Sequence, residues 1–173
     1  MLDSSLKVPE QLELTPGIVR ILLLGLTPQQ VAWKPAPERF SVAEVLAHLA
    51  HAEQFAYLPK YRAFAQEETP ALAAYDTDGL ISGGEYTNKD AGESIAAFAR
   101  LRTENLTLLR SLPAEYGHRA GNHSRVGPIR LCELLNECAY HDLGHIRQIA
   151  ELVRAQRYYP EMGLYKKYYK VNP

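Results

Sequence analysis

Apolar residues recur at three- and four-residue spacing in four long stretches of the chain, and the residues between them are those that start or stop helices. Thr15-Pro16, a cap followed by proline at a first helical position, predicts helix one over Ile18 to Leu26. Thr27-Pro28 repeats the signal for a short turn ending near Trp33. Lys34-Pro35-Ala36-Pro37 must then be extended, because proline restricts itself and the residue before it. Ser41-Val42-Ala43-Glu44 is a capping box and opens helix two, expected to run to about Gln66. Helix three is expected from about Asp90 to Leu112, stopped by Pro113, and helix four from about Ile129, behind Pro128, to Gln156. No segment alternates with period two for long enough to predict a sheet.

The pattern is all-α, with one awkward feature. Residues from Glu67 to about Lys89 contain Pro70, Asp76, Asp78, Gly79, Gly83 and Gly84, so a connection of unusual length joins helices two and three. A parallel placement of these two helices explains it, because the chain must then return along the whole bundle.

Composition narrows the class. At 173 residues, 46% hydrophobic and 23% charged, the chain is in the ordinary globular range, and a single domain over residues 1–173 is the expectation. Nineteen Lys and Arg against twenty Asp and Glu give a formal net charge of -1, which argues against dedicated nucleic-acid binding. The longest apolar stretch, Ile21 to Leu26, is far too short to span a membrane. Met1 to Lys7 has neither the basic nor the apolar region of a secretory signal, so a cytoplasmic protein is expected. Cys132 and Cys138, six apart on one expected helix, point in different directions and read as reduced packing residues. The ending is rich in aromatics: Tyr158, Tyr159, Tyr165, Tyr168 and Tyr169 are expected to pack on the bundle, or on a partner subunit.

Helix four carries the main chemical signal. Leu131, Leu134, Cys138, His141, His145 and Leu152 share one seam, so two imidazoles occupy core positions. His141 and His145 are four apart, which aims two ring nitrogens at one point. Helix two adds His48 and His51 near the stripe Val45, Leu49, Ala52 and Phe55. Three neutral histidines with open positions make a common catalytic metal site. Core histidines satisfied by neighbouring acceptors are the plainer reading. His141-Asp142-Leu143-Gly144-His145 also has the spacing of the zinc-protease His-Glu-x-x-His motif, with Asp142 in the place of the general base. Asp142 and Glu137 are therefore the candidate catalytic carboxylates, each also placed to orient an imidazole.

Trp33, Pro35, Phe40-Ser41, Glu44-Val45, His48-Leu49 and Glu53, followed late by Gly127-Pro128, Leu131, Leu134-Leu135 and the run His141 to Ile149, resemble the DinB/YfiT-like superfamily over nearly the whole chain. The resemblance implies a four-helix bundle of up-down-down-up topology, often a homodimer. It implies a metal held by His48, His141 and His145, nickel or zinc, with water in the remaining positions. Phe40 stands where the family commonly has Trp, and Arg130 where Thr often precedes the leucine, and both departures bear on substrate class more than on the ligands. His51 reads as a solvated histidine or one behind the ligands. The loop Arg119 to Ser124 resembles one that members carry before the last helix, and makes Arg119 the candidate for holding a carboxylate of substrate or cofactor.

Two reaction classes follow for a small-molecule substrate. One is metal-assisted hydrolysis. The other is transfer using a low-molecular-weight thiol as cofactor, which the resemblance implies. A non-catalytic metal-binding or stress-related protein is the opposing class.

Overall fold

A computed structural model describes residues 8–171. The reading of Met1 to Lys7 lies outside the described residues. Helices α1 (Val8–Leu23), α3 (Val42–His51) continued by α4 (Leu58–Gln66), α6 (Ala91–Ser111) and α7 (Leu131–Val153) form a four-helix bundle. Two short helices, α2 (Pro28–Ala32) and α5 (Thr77–Ser82), sit in the connections.

The topology follows from which residues share a core. Val45 and Leu46 of α3 pack with Ile95 and Phe98 at the start of α6, whereas Tyr61 and Phe64 of α4 pack with Leu106 near its end. These two helices therefore run parallel. Val8 and Leu12 meet Leu131 and Leu134, while Val19 meets Ile149 and Leu152, so α1 and α7 are parallel to each other and opposed to the other pair. This is the up-down-down-up order, and the long link between α4 and α6 is its necessary return.

The expected capping box is present: Ser41 Oγ accepts from the Glu44 N–H at 3.2 Å, and the Glu44 carboxylate accepts from the Ser41 N–H at 2.8 Å. Helix three runs between its cap Asp90 and Leu112 as expected. Four features differ from the expectations. Helix one is already helical at Val8, so Pro16 lies inside it. Proline has no N–H for the Leu12 carbonyl, which instead accepts from Arg102 Nη1 at 2.8 Å. That distant donor is invisible in the local sequence. Between α3 and α4 the chain is π-helical over Ala52–Tyr57, and the Leu58 N–H reaches back five residues to the Glu53 carbonyl. Pro59, unable to donate to Phe55, favours this wider turn.

The third difference is a small sheet. Strands β1 (Ala71–Leu72), β2 (Ala120–His123) and β3 (Gly127–Arg130) lie in the order β1-β2-β3, with β1 parallel and β3 antiparallel to β2. Strands of two to four residues are too short to leave a period-two signature. Gly121 is required where β2 crosses the bundle, because a Cβ would stand 2.9 Å from Leu72 and 3.1 Å from Phe64. The sheet takes Ile129 and Arg130, so α7 begins at Leu131. The fourth is the aromatic ending: Tyr158, Tyr165, Tyr168 and Tyr169 are 51–82% exposed, so packing on the chain's own bundle does not cover them. No helix among the described residues is long and apolar enough to cross a membrane.

The two apolar clusters sit at opposite ends of the bundle. Along α7 they are separated by His141, Asp142 and His145 and along α6 by Arg102 and Asn105, and on the second helix His48 and Glu53 flank the junction between them. The bundle thus has a polar middle layer, where its chemistry is concentrated.

Candidate metal centre

Half of the polar layer is a histidine cluster. The Nε2 of His141 lies 3.0 Å from Nε2 of His48 and 3.1 Å from Nε2 of His145, and one nitrogen from each ring falls within 4.8 Å of the others. His48 is buried and the other two are half-buried. One turn of α7 separates His141 from His145, and the antiparallel α3 brings His48 across to them. The residues that spacing and resemblance single out are therefore brought together.

The rings are held as bases. Burial, followed by the neighbouring His145, His141 and His51, pushes His48 down to about 3. Burial, followed by His145 and Arg102, does the same to His141, also to about 3. His145 is lowered mainly by burial. Its Nδ1 stands 2.9 Å from Oε1 of Gln148, so Nδ1 carries the proton and the Nε2 lone pair is turned to the cluster. The Nδ1 atoms of His48 and His141 are buried without a partner among the described residues. Three neutral imidazoles facing one another through Nε2 can make few good hydrogen bonds among themselves. They fit a cation well: nitrogens about 2.1 Å from one ion stand about 3.0 Å apart at right angles and about 3.4 Å apart in a tetrahedron.

The cluster opens on a cavity of about 650 Å³. Glu137 lies on its wall one turn before His141, and accepts from the Tyr57 hydroxyl at 3.2 Å. Burial raises the Glu137 carboxyl above its usual range, against the opposing pull of Tyr57 and Lys60. Phe40, Tyr75 and Ile81 supply apolar wall. The Tyr75 hydroxyl sits 2.6 Å from Nδ1 of His51 and 2.8 Å from the Tyr86 hydroxyl, which places His51 behind the cluster.

Two sequence candidates are corrected. Asp142 does not line the cavity: its carboxylate accepts two bonds from Arg102, at 2.7 and 3.0 Å, and is fully buried. It is turned to the bundle axis and is not placed as a general base. Arg119 does not line the cavity either; it donates to the Phe64 and Glu67 carbonyls and stacks on Tyr116. The loop before α7 does reach the cavity, but through His123 and Arg125.

Sequence reasoning missed the other half of the layer. Arg102 donates to Glu53 at 2.8 Å as well as to Asp142, and Asn105 donates to the Glu53 carboxylate at 2.8 Å and to its backbone carbonyl at 3.1 Å. Burial works against the Arg102 charge, but the bond to Asp142 and the charge of Glu53 hold its pKa above the usual value. The signal was available, since Arg102 and Asn105 fall on the same helical seam as Ile95, Phe98 and Leu106.

The sequence profile of the DinB superfamily matches residues 11–149. The chain belongs to this superfamily. A structural relative of this DinB-superfamily protein is YfiT from Bacillus subtilis, described as a probable metal-dependent hydrolase with an unusual four-helix bundle topology. The two are 25% identical, with a TM-score of 0.79 over 90% of this chain and 89% of that one. Among curated proteins nothing matches the chain.

Proposed function

We propose that the protein is a metal-dependent hydrolase of a small-molecule substrate, with one divalent ion, zinc or nickel, held by His48, His141 and His145. The observation that carries this reading is the convergence of three neutral Nε2 atoms at the floor of an open cavity. Both metals suit imidazole ligands. Bound there, the ion would supply Lewis-acid polarisation of a substrate carbonyl or phosphoryl oxygen.

The chain's own residues supply the proton chemistry. Glu137 faces the same space as the ligands, and its raised pKa suits a carboxylate that takes a proton from attacking water and returns it to the leaving group. Tyr57 fixes one oxygen of that carboxylate. Gln148 holds the tautomer of His145, a common task for groups behind metal ligands.

A homodimer is part of the proposal. Leu14, Ile18 and Ile21 make an exposed stripe on α1, and Tyr140 and Leu143 are exposed on α7, the helix packed beside it. A second copy is the occupant proposed for this surface and for the exposed tyrosines of the ending.

Elemental mass spectrometry on untagged protein tests the site. Near one equivalent of zinc or nickel is expected in the wild type, and loss in both His48→Ala and His141→Ala. Glu137→Gln should keep its metal and hydrolyse activated esters about 100-fold more slowly. A metal-free wild type that added zinc or nickel fails to stabilise would overturn the metal site, and full activity in Glu137→Gln would overturn the role of that carboxylate.

A further inference from the structure

The cavity has a second polar end. Lys60, on α4, is only 8% exposed, yet it lines the cavity. Among the described residues it donates to one acceptor, the Ala56 carbonyl at 2.7 Å, and no carboxylate comes within ion-pair distance. An ammonium has three N–H donors, and lysines this deeply buried are almost always paired. Of the nearby carboxylates, Glu133 is paired with Arg130, and Glu137, bonded by Tyr57, feels the Lys60 charge without coming within ion-pair distance of it.

The hairpin between β2 and β3 adds to this end. It brings His123 and the exposed Arg125 to the same cavity. His123 is lowered by burial and then by the charges of Lys60 and Arg125, as expected where the three groups share one space. We infer that this end of the cavity receives the carboxylate of an organic acid, seated on Lys60 and covered by Arg125, while the rest of the molecule extends toward the histidines. A single charge fits better than a phosphate dianion, whose second charge would lie in the field of Glu137. The inference rests on the histidine-lined cavity being the substrate site, and it names the substrate class.

Two probes of equal length separate the parts: adipic acid monohydroxamate, which ends in a carboxylate, and 6-hydroxyhexanohydroxamic acid, which ends in an alcohol. Their dissociation constants are measured by ligand-observed NMR on metal-free and zinc-loaded protein, for wild type, Lys60→Met and Arg125→Gln. The carboxylate probe should bind at least about tenfold more tightly than the alcohol in the wild type, with or without zinc. The ratio should fall to near one in Lys60→Met and decrease about threefold in Arg125→Gln, a rim charge. Affinity for the alcohol should be unchanged in both variants, which shows that they are folded. A wild-type ratio near one, or a tenfold ratio surviving in Lys60→Met, overturns the inference. Failure of zinc to strengthen binding of either probe counts against the metal site instead, and leaves the carboxylate ratio in metal-free protein to decide the inference by itself.

Discussion

His141 and Asp142 are neighbours on α7, yet they belong to polar centres of opposite character. Around Asp142 the chain answers its own charges: one guanidinium serves two carboxylates and a carbonyl, and an asparagine completes Glu53. Around His141 three neutral imidazoles instead face one another through Nε2 beside an open cavity. Each centre leaves two buried polar atoms without a partner among the described residues, Arg102 Nε and Asn105 Oδ1 in one and the Nδ1 atoms of His48 and His141 in the other, so what sets the second apart is the convergence of its Nε2 atoms beside a cavity that something from outside can enter. The difference separates residues that hold the fold from residues held ready by it.

The largest effect should come from the centre whose charges are paired. Arg102→Met leaves two buried carboxylates without a cation and should cost about 3–5 kcal/mol, read by chemical denaturation, while Arg102→Met combined with Glu53→Gln and Asp142→Asn should recover part of that loss. Acid should act next, and through the other centre. His48 and His141 titrate near 3 when folded and near 6.5 when unfolded, so the unfolded chain binds more protons between those values. Stability of the metal-free protein should therefore be full above about pH 6.5 and decline below it, by about 2 kcal/mol per histidine at pH 5. His141→Ala should be milder still, changing metal-free stability by about 1 kcal/mol or less while abolishing the rise in Tm on adding zinc. If it destabilised the metal-free protein as much as Arg102→Met does, the contrast between the centres would be lost. Tyr75→Phe should cost a similar amount, about 0.5–1.5 kcal/mol from its bonds to His51 and Tyr86, but with zinc binding retained.

Local signals explain what the sequence disclosed. The Ser41–Glu44 box, the start of helix three at about Asp90 and the four-residue spacing of His141 and His145 each rest on signals within one or two helical turns, and all are realised. The long link after Gln66 correctly called for parallel helices. What stayed hidden depends on distant partners. Pro16 reads as a helix start because the donor replacing its N–H lies on α6. Asp142 stands at the position of a protease base in the His-x-x-x-His spacing, and the motif does not show that Arg102 faces it. Lys60 looks like any lysine until the hairpin that carries His123 and Arg125 is brought to the same cavity. The short strands follow the same rule, as β1 and β2 are about fifty residues apart and meet only in the folded chain.

The Arg102 guanidinium contacts α1, the π-helical turn after α3, and α7 from its own position on α6, so all four helices of the bundle meet at one side chain. Such a contact is complete only when the last helix docks, after most of the chain's search is over. Its energy should act as a latch in time: Arg102→Met is expected to raise the unfolding rate by nearly its whole stability loss and leave the refolding rate almost unchanged, a split that a stopped-flow chevron would show.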